Sequence, residues 1–252
     1  MTTTIDRAEP VSGRSGAPEE PSSRWEDFID IFYAPASVFV RRQDGRFGLP
    51  FLVLLVVMAV LFLGAQYALQ PIFDAEFQRG MDAALRANPQ LTPEQMETGR
   101  AMSQRFGIVI FLVTFPLGLL LLGLVTWGVG KLFGAALSLG GALLIAVFSQ
   151  FPRIVQQLVS IAQGLVLDAQ RLTSQYSVSL SPARFLDADA SSPVLLALLG
   201  RLDVFTLWAT ALLAIGLAVA GRLPKTQAYL AAGIIWLLGA LPVLYPAIRA
   251  AG

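Results

Sequence analysis

The run LDVFTLWATALLAIG, residues 202–216, decides how the chain is read. It opens on an acid, Asp203, where an otherwise apolar helix is about to cross a membrane. An ionisable group there is costly unless it faces protein or a water-filled cavity and has a partner. That partner has to come from another apolar segment, so the fourth span cannot be read alone.

Composition sets the class. At 55% hydrophobic and 14% charged residues, with mean hydropathy +0.65, the chain has too few polar residues to cover a soluble domain of 252 residues. Its apolar residues fall in five long runs, at 48–69, 106–127, from 135 onward, 194–220 and 228–247. Each comes close to the roughly 20 helical residues that cross a ~30 Å hydrocarbon core. The expected fold is therefore an all-α membrane protein with five transmembrane helices. With no Cys and no His, thiolate and imidazole chemistry are excluded, and any metal site would need carboxylates alone. Neither a cofactor nor a metal is expected. A net charge of +1 gives no basic stripe for nucleic acid. The preference for Arg over Lys reads as a GC-rich bacterial genome, which places the chain in an inner (cytoplasmic) membrane.

Ahead of the spans, residues 1–23 carry too few large apolar side chains to fold and are expected to be a disordered tail. Residues 24–47 form an amphipathic segment in which Trp25, Phe28, Ile29 and Phe32 recur at helical spacing. Pro35 divides the segment, and Arg41, Arg42 and Arg46 close it. Such a segment either lies in the membrane interface, anchored by Trp25, Phe28, Phe32 and the three Arg, or packs on the protein's own cytoplasmic face. Residues 70–105, rich in Arg and acids and interrupted at Asn88-Pro89, read as an extramembrane helical hairpin. Its second helix has a start signal in Thr92, Pro93 and Gln95. The membrane domain as a whole is 48–252.

The third run changes character at Ser149. At ~100° per residue, Ser149, Arg153, Gln156, Ser160 and Gln163 fall on one narrow stripe, with Gln157 beside it, which gives this helix a polar seam. Counting up from Ala135 and from Arg222 puts Arg153 and Asp203 at one depth near the outer interface. They are expected to pair across the two helices; the competing arrangement gives Asp203 to Arg201 or water and lets Arg153 snorkel. Short-loop cations Arg41, Arg42, Arg46, Lys131, Arg222 and Lys225 favour a cytoplasmic N-terminus, and five spans then leave the C-terminus outside.

The pattern Leu202-Asp203-x-Phe205, then Trp208 and an apolar run to Gly216, resembles the fourth span of the Yip family, the Ypt-interacting proteins. Phe32 with Ala34-Pro35, Gly48-Leu49-Pro50, the Pro93-Glu94-Gln95 insert, and Phe148-Ser149 with Pro152 extend the resemblance over about 25–247. It implies a five-span, non-enzymatic membrane protein with a cytoplasmic N-terminus. Eukaryotic relatives bind Rab-type GTPases in vesicle trafficking. The tyrosine-glycine motifs typical of those relatives are missing here, which argues against GTPase binding. Two functions remain open: a scaffold or accessory subunit that binds membrane lipid, a membrane-protein partner or a second copy of itself, and a small-solute, ion or lipid transport component that uses the polar face of the third span.

Overall fold

A computed structural model describes residues 25–251; the tail expected at 1–23 lies outside them. The described residues form helices and three short 3-10 turns, with no strand among them. Among the described residues, four segments are long and apolar enough to cross a membrane: Gly48–Ala68, Arg105–Leu132, Leu139–Val166 and Lys225–Ile248. A bent pair, Pro193–Gly200 with Val204–Val219, makes up to 5. Long apolar side chains such as Leu52, Val60, Val113, Leu121 and Leu124 remain exposed on the outside of this bundle. Lipid satisfies such a surface and water does not, so the chain is a multi-pass membrane protein.

The helix boundaries follow local chemistry. Helix α3 (Gly48–Ala68) is followed by α4 (Gln70–Ala87), and α5 (Pro93–Leu132) returns. Thr92 caps α5: its hydroxyl accepts from Gln95 N at 3.3 Å, and Gln95 Oε1 accepts from Thr92 N at 3.1 Å. The second helix of the hairpin and the second span, two elements in the sequence pattern, are one continuous helix. Pro116 lies inside it without ending it. Arg100 reaches Asp74 at 2.7 Å and ties the two arms of the hairpin together.

The third, fourth and fifth spans, each a single apolar run in the sequence, are all interrupted. The third does not begin at Ala135. Ala136 N donates to Gly221 O at 3.0 Å, and α6 (Leu139–Ser149) starts only where Ser138 caps it. Two residues separate α6 from α7 (Pro152–Val166), whose proline can open a helix but cannot extend the ladder behind it. The fourth span is α8 (Pro193–Gly200) and α9 (Val204–Val219), bent by 51°. Asp203 is not inside a helix at all: it is the N-cap of α9, accepting from Phe205 N at 2.9 Å. The fifth starts at Lys225 and is α10 (Lys225–Leu238) followed by α11 (Leu241–Ala251).

Helix α6 lies at the centre, with Leu144, Ile145, Val147 and Phe148 fully buried. Gly64 sits against Ile161 and Gly164 against Ala68, so α7 runs parallel to the second half of α3. Helix α9 runs the other way: Gly216 is packed on Ile145, while Asp203 meets Gln156.

The leading segment resolves the alternative left open by its sequence. Helices α1 (Asp27–Tyr33) and α2 (Pro35–Arg41) form a tight hairpin folded into the bundle. Phe28 stacks on Phe151 at 5.6 Å, Phe32 meets the edge of Trp208, and Phe39 is fully buried against Phe148. Arg41 and Arg42 both pair with the carboxylate of Asp27, which is 1% exposed, and Arg41 also holds Asp30. Of its large apolar side chains, Trp25, Ile29, Tyr33 and Val40 are exposed, and Arg46 stays at the surface beside Asp44. At the end of this segment Gly45, with φ +70°, lies so close to Gly140 and Gly141 that a side chain there would strike backbone.

Candidate functional site

The interruption between α8 and α9 opens onto a cavity of about 250 Å³. Arg153 and Gln156 of α7, Tyr176 of a 3-10 turn, and Arg201 and Asp203 of the break line it. The expected ion pair between Arg153 and Asp203 is not made. Gln156 stands between them: its Oε1 accepts from Arg153 Nη1 at 2.7 Å, and its Nε2 donates to Asp203 Oδ1 at 3.3 Å. Asp203 Oδ2 accepts from Leu180 N at 2.9 Å. With the Phe205 amide, three neutral donors therefore surround the acid, and it tethers the loop between α7 and α8 to the start of α9.

The depth also differs from that counted on the sequence. Gly164 marks the level of Ala68, where α3 ends, and Gln156 precedes it by eight residues. At 1.5 Å per residue the Arg153–Gln156–Asp203 chain lies roughly 12 Å below that level. With the end of α3 taken as the edge of the hydrocarbon, that is within a ~30 Å core and away from its surface. Part of the shift follows from the third span starting at Leu139, four residues or about 6 Å beyond the start of the apolar run.

The rest of the seam is divided by the break before Pro152. Ser149 is buried at the end of α6, donating to Ala146 O at 2.7 Å, and does not line the cavity. Gln163 fastens the following loop, donating to Val178 O at 2.9 Å and accepting from Arg184 at 3.2 Å. Gln157 and Ser160 are on α7 and do not line the cavity. Of the motif residues, Leu202 is exposed, Phe205 and Gly216 are buried, and Trp208 receives Phe32. Arg201, named from the sequence only as a competing partner for Asp203, and Tyr176, not named at all, join the cavity. Gly200 followed by two charges within three residues is the available signal for Arg201, because a straight apolar span has no use for either feature. No pattern in the sequence marks Tyr176.

A second chamber of about 450 Å³ adjoins the first, sharing Gln175, Tyr176, Ala197 and Val243 with it, and is walled further out by Glu76 and Arg79 of α4. Here the hairpin is clipped to the loop. Arg79 Nε meets Asp189 Oδ1 at 2.7 Å and its Nη2 donates to Thr173 O at 2.6 Å, while Gln175 N donates to Glu76 Oε1 at 3.2 Å. The hydrogen bond and charge of Arg79 hold the Asp189 carboxyl below its usual range. A depressed carboxyl adds stability above the unfolded value of about 3.9, and that stability is lost as the pH falls through the lower folded value. Burial, then the charge of Glu76, pushes the Tyr176 phenol up, so it stays neutral at the junction of the two chambers.

Exposed ion pairs contribute up to about 1 kcal/mol. Arg79→Gln is accordingly expected to leave the melting temperature nearly unchanged, yet to speed tryptic cleavage after Arg86 by up to about fivefold as the hairpin comes loose. Time-resolved limited proteolysis at neutral pH checks this, and equal cleavage rates would mean that the clip does not restrain the hairpin.

Broken spans around a buried polar cavity define an all-helical, multi-pass membrane protein rather than a simple anchored bundle. A model of the Yip1 domain matches residues 29–245, and the chain belongs to the Yip1 family. No curated protein and no solved structure matches it.

Proposed function

We propose that the chain is a non-enzymatic scaffold or accessory subunit of a bacterial inner membrane, engaging a membrane-protein partner through the hairpin of α4 and α5. The observation that carries this reading is the clip between the hairpin and the loop. It holds a charged element in a fixed attitude while Asp82, Arg86, Glu94 and Glu97 extend along its outer part. A mixed-charge surface held in place suits specific pairing, because its side chains lose less freedom on docking. The orientation we favour has the N-terminus in the cytoplasm. It is supported by Arg46, Lys131, Arg222 and Lys225, which flank the ends of α3, α5, α9 and α10 on one side.

Gentle-detergent purification of a tagged chain from its host, read by native mass, tests the proposal. A stoichiometric membrane partner is expected, and reversing Asp82, Arg86, Glu94 and Glu97 together is expected to release it without lowering the melting temperature. A chain that emerges alone, or a partner that stays with the variant, overturns the reading.

A specific observation also favours a second reading, a transport component: the polar cavity within the level of the hydrocarbon and the chamber that leads to it. Flux that survives Gln156→Leu in proteoliposomes would count against it.

A further inference from the structure

We infer that the cavity between α7 and the α8–α9 break binds an oxyanion of the phosphate or carboxylate type, held by Arg153 and Arg201. The inference deepens the transport reading and rests on it only for release of the anion to the far side; capture itself is an equilibrium property.

Two guanidinium groups and one carboxylate line the cavity, an excess of one positive charge. The carboxylate does not neutralise either cation at contact distance, because Asp203 is already held by the Phe205 amide, the Leu180 amide and the Gln156 side chain. Arg153 has a neutral partner, Gln156, at 2.7 Å. Arg201 donates through Nη2 to Trp236 O at 2.7 Å and lies 5.3 Å from the centre of the Trp236 ring. Its Nε is buried and has no partner. A buried charge without a counter-ion and a buried donor without an acceptor are both costly. Proteins keep such arrangements at the level of the hydrocarbon where they serve a ligand or a pathway.

Guanidinium forks match oxyanions, donating two parallel bonds where a neutral solute would satisfy only one. The inner cavity of about 250 Å³ accepts a phosphate with a small substituent, and the outer chamber of about 450 Å³ has room for a larger group attached to it. The outer chamber also carries Arg79, already engaged by Asp189 and Glu76, on the access route from the hairpin side. Val243 borders both chambers and marks the passage between them. An oxyanion can arrive either as a free solute or as the headgroup of an anionic lipid, and the chemistry at the two Arg is the same for both.

The experiment is isothermal titration of the full-length protein in an uncharged detergent. The probes are inorganic phosphate and dihexanoyl phosphatidylglycerol, with dihexanoyl phosphatidylcholine as the zwitterionic control. One-site binding of phosphate alone identifies a free anion, binding of the anionic lipid alone identifies a headgroup, and binding of both identifies a site open to either. In each case Arg153→Gln and Arg201→Gln are expected to weaken binding at least about tenfold, the loss of one charge-assisted contact. Arg201→Lys is expected to retain part of it. Elution profile and melting temperature report whether each variant is folded. If neither Gln variant folds, Val243→Trp decides, since it narrows the passage and keeps both charges. Absence of binding by the wild-type chain, folded Gln variants that bind like wild type, or unaltered binding by Val243→Trp when the Gln variants are lost overturns the inference. Binding that persists without flux in proteoliposomes retains the anion site and removes transport.

Discussion

Asp203→Ala is expected to destabilise the protein by roughly 3 to 5 kcal/mol, a large share of the 5–15 kcal/mol by which folded domains exceed their unfolded states. The acid is 3% exposed and accepts from three separate donors. Alanine removes the cap of α9, worth about 1 kcal/mol. It also leaves the Leu180 amide and the Gln156 side chain without their acceptor, at about 1–3 kcal/mol for each buried group. The loop between α7 and α8 would lose its tether to the bundle at the same time. Asparagine keeps one oxygen and is expected to cost less than alanine, although its amide must turn a donor toward another donor. Thermal unfolding in detergent measures both, and a loss below about 1 kcal/mol for Asp203→Ala would show that water replaces these contacts. A double-mutant cycle with Gln156→Leu is expected to show coupling of about 0.5–3 kcal/mol, since the two side chains share a bond. The cycle with Arg153→Gln is expected to show less, because Gln156 separates that pair. The opposite order would favour a direct ion pair over the bridge.

How far such a site can be foreseen depends on what the chain states locally. The spans are legible because each is a long apolar run, and hydropathy responds to composition alone. The start of α5 is legible because Thr92, Pro93 and Gln95 are a local chemical statement. The interruptions are harder. A window average over 194–220 is the same whether the helix is straight or bent at Asp203, so by hydropathy the charge sits in a continuous helix. Pro152 and Gly200 carry the missing information, but prolines and glycines are tolerated inside spans, as Pro116 within α5 demonstrates. The seam is read on one helical period, but Ser149 ends α6 while Arg153, Gln156, Ser160 and Gln163 belong to α7. The leading segment has two readings since its aromatic face can meet either lipid or protein. What decides for protein is the burial of Asp27, whose two Arg partners lie fourteen and fifteen residues further on. No local periodicity encodes a contact of that span. Arg201 and Tyr176 depend on the same kind of long-range folding.

Gly216→Leu is expected to abolish recovery of folded protein, and the reason separates steric from conformational effects. At this position α9 crosses α6 and α2 so closely that a Cβ would fall 2.6 Å from Ile145 Cγ2 and 3.2 Å from Phe39 Cζ. Neither neighbour can yield: Ile145 and Phe39 are fully buried, and a β-branched side chain in a helix has little rotamer freedom. Alanine at 216 therefore sets two effects against each other. Helix propensity favours it by about 1 kcal/mol, while overpacking costs about 1–3 kcal/mol, so a net loss of up to about 2 kcal/mol is expected. Leucine adds three further carbons with no space for them, and α9 must separate from α6 to accommodate it. The same α6–α9 contact sets the register that brings Asp203 to Gln156, so oxyanion binding is expected to disappear together with the fold. Gly128→Leu is the control, because a Cβ there meets nothing within 4 Å. It has the same propensity gain without the clash and is expected to fold as well as wild type. Monodisperse yield and melting temperature across Gly216→Ala, Gly216→Leu and Gly128→Leu read the outcome directly. Folded Gly216→Leu with an intact melting temperature would mean that α9 and α6 stand further apart than this packing requires.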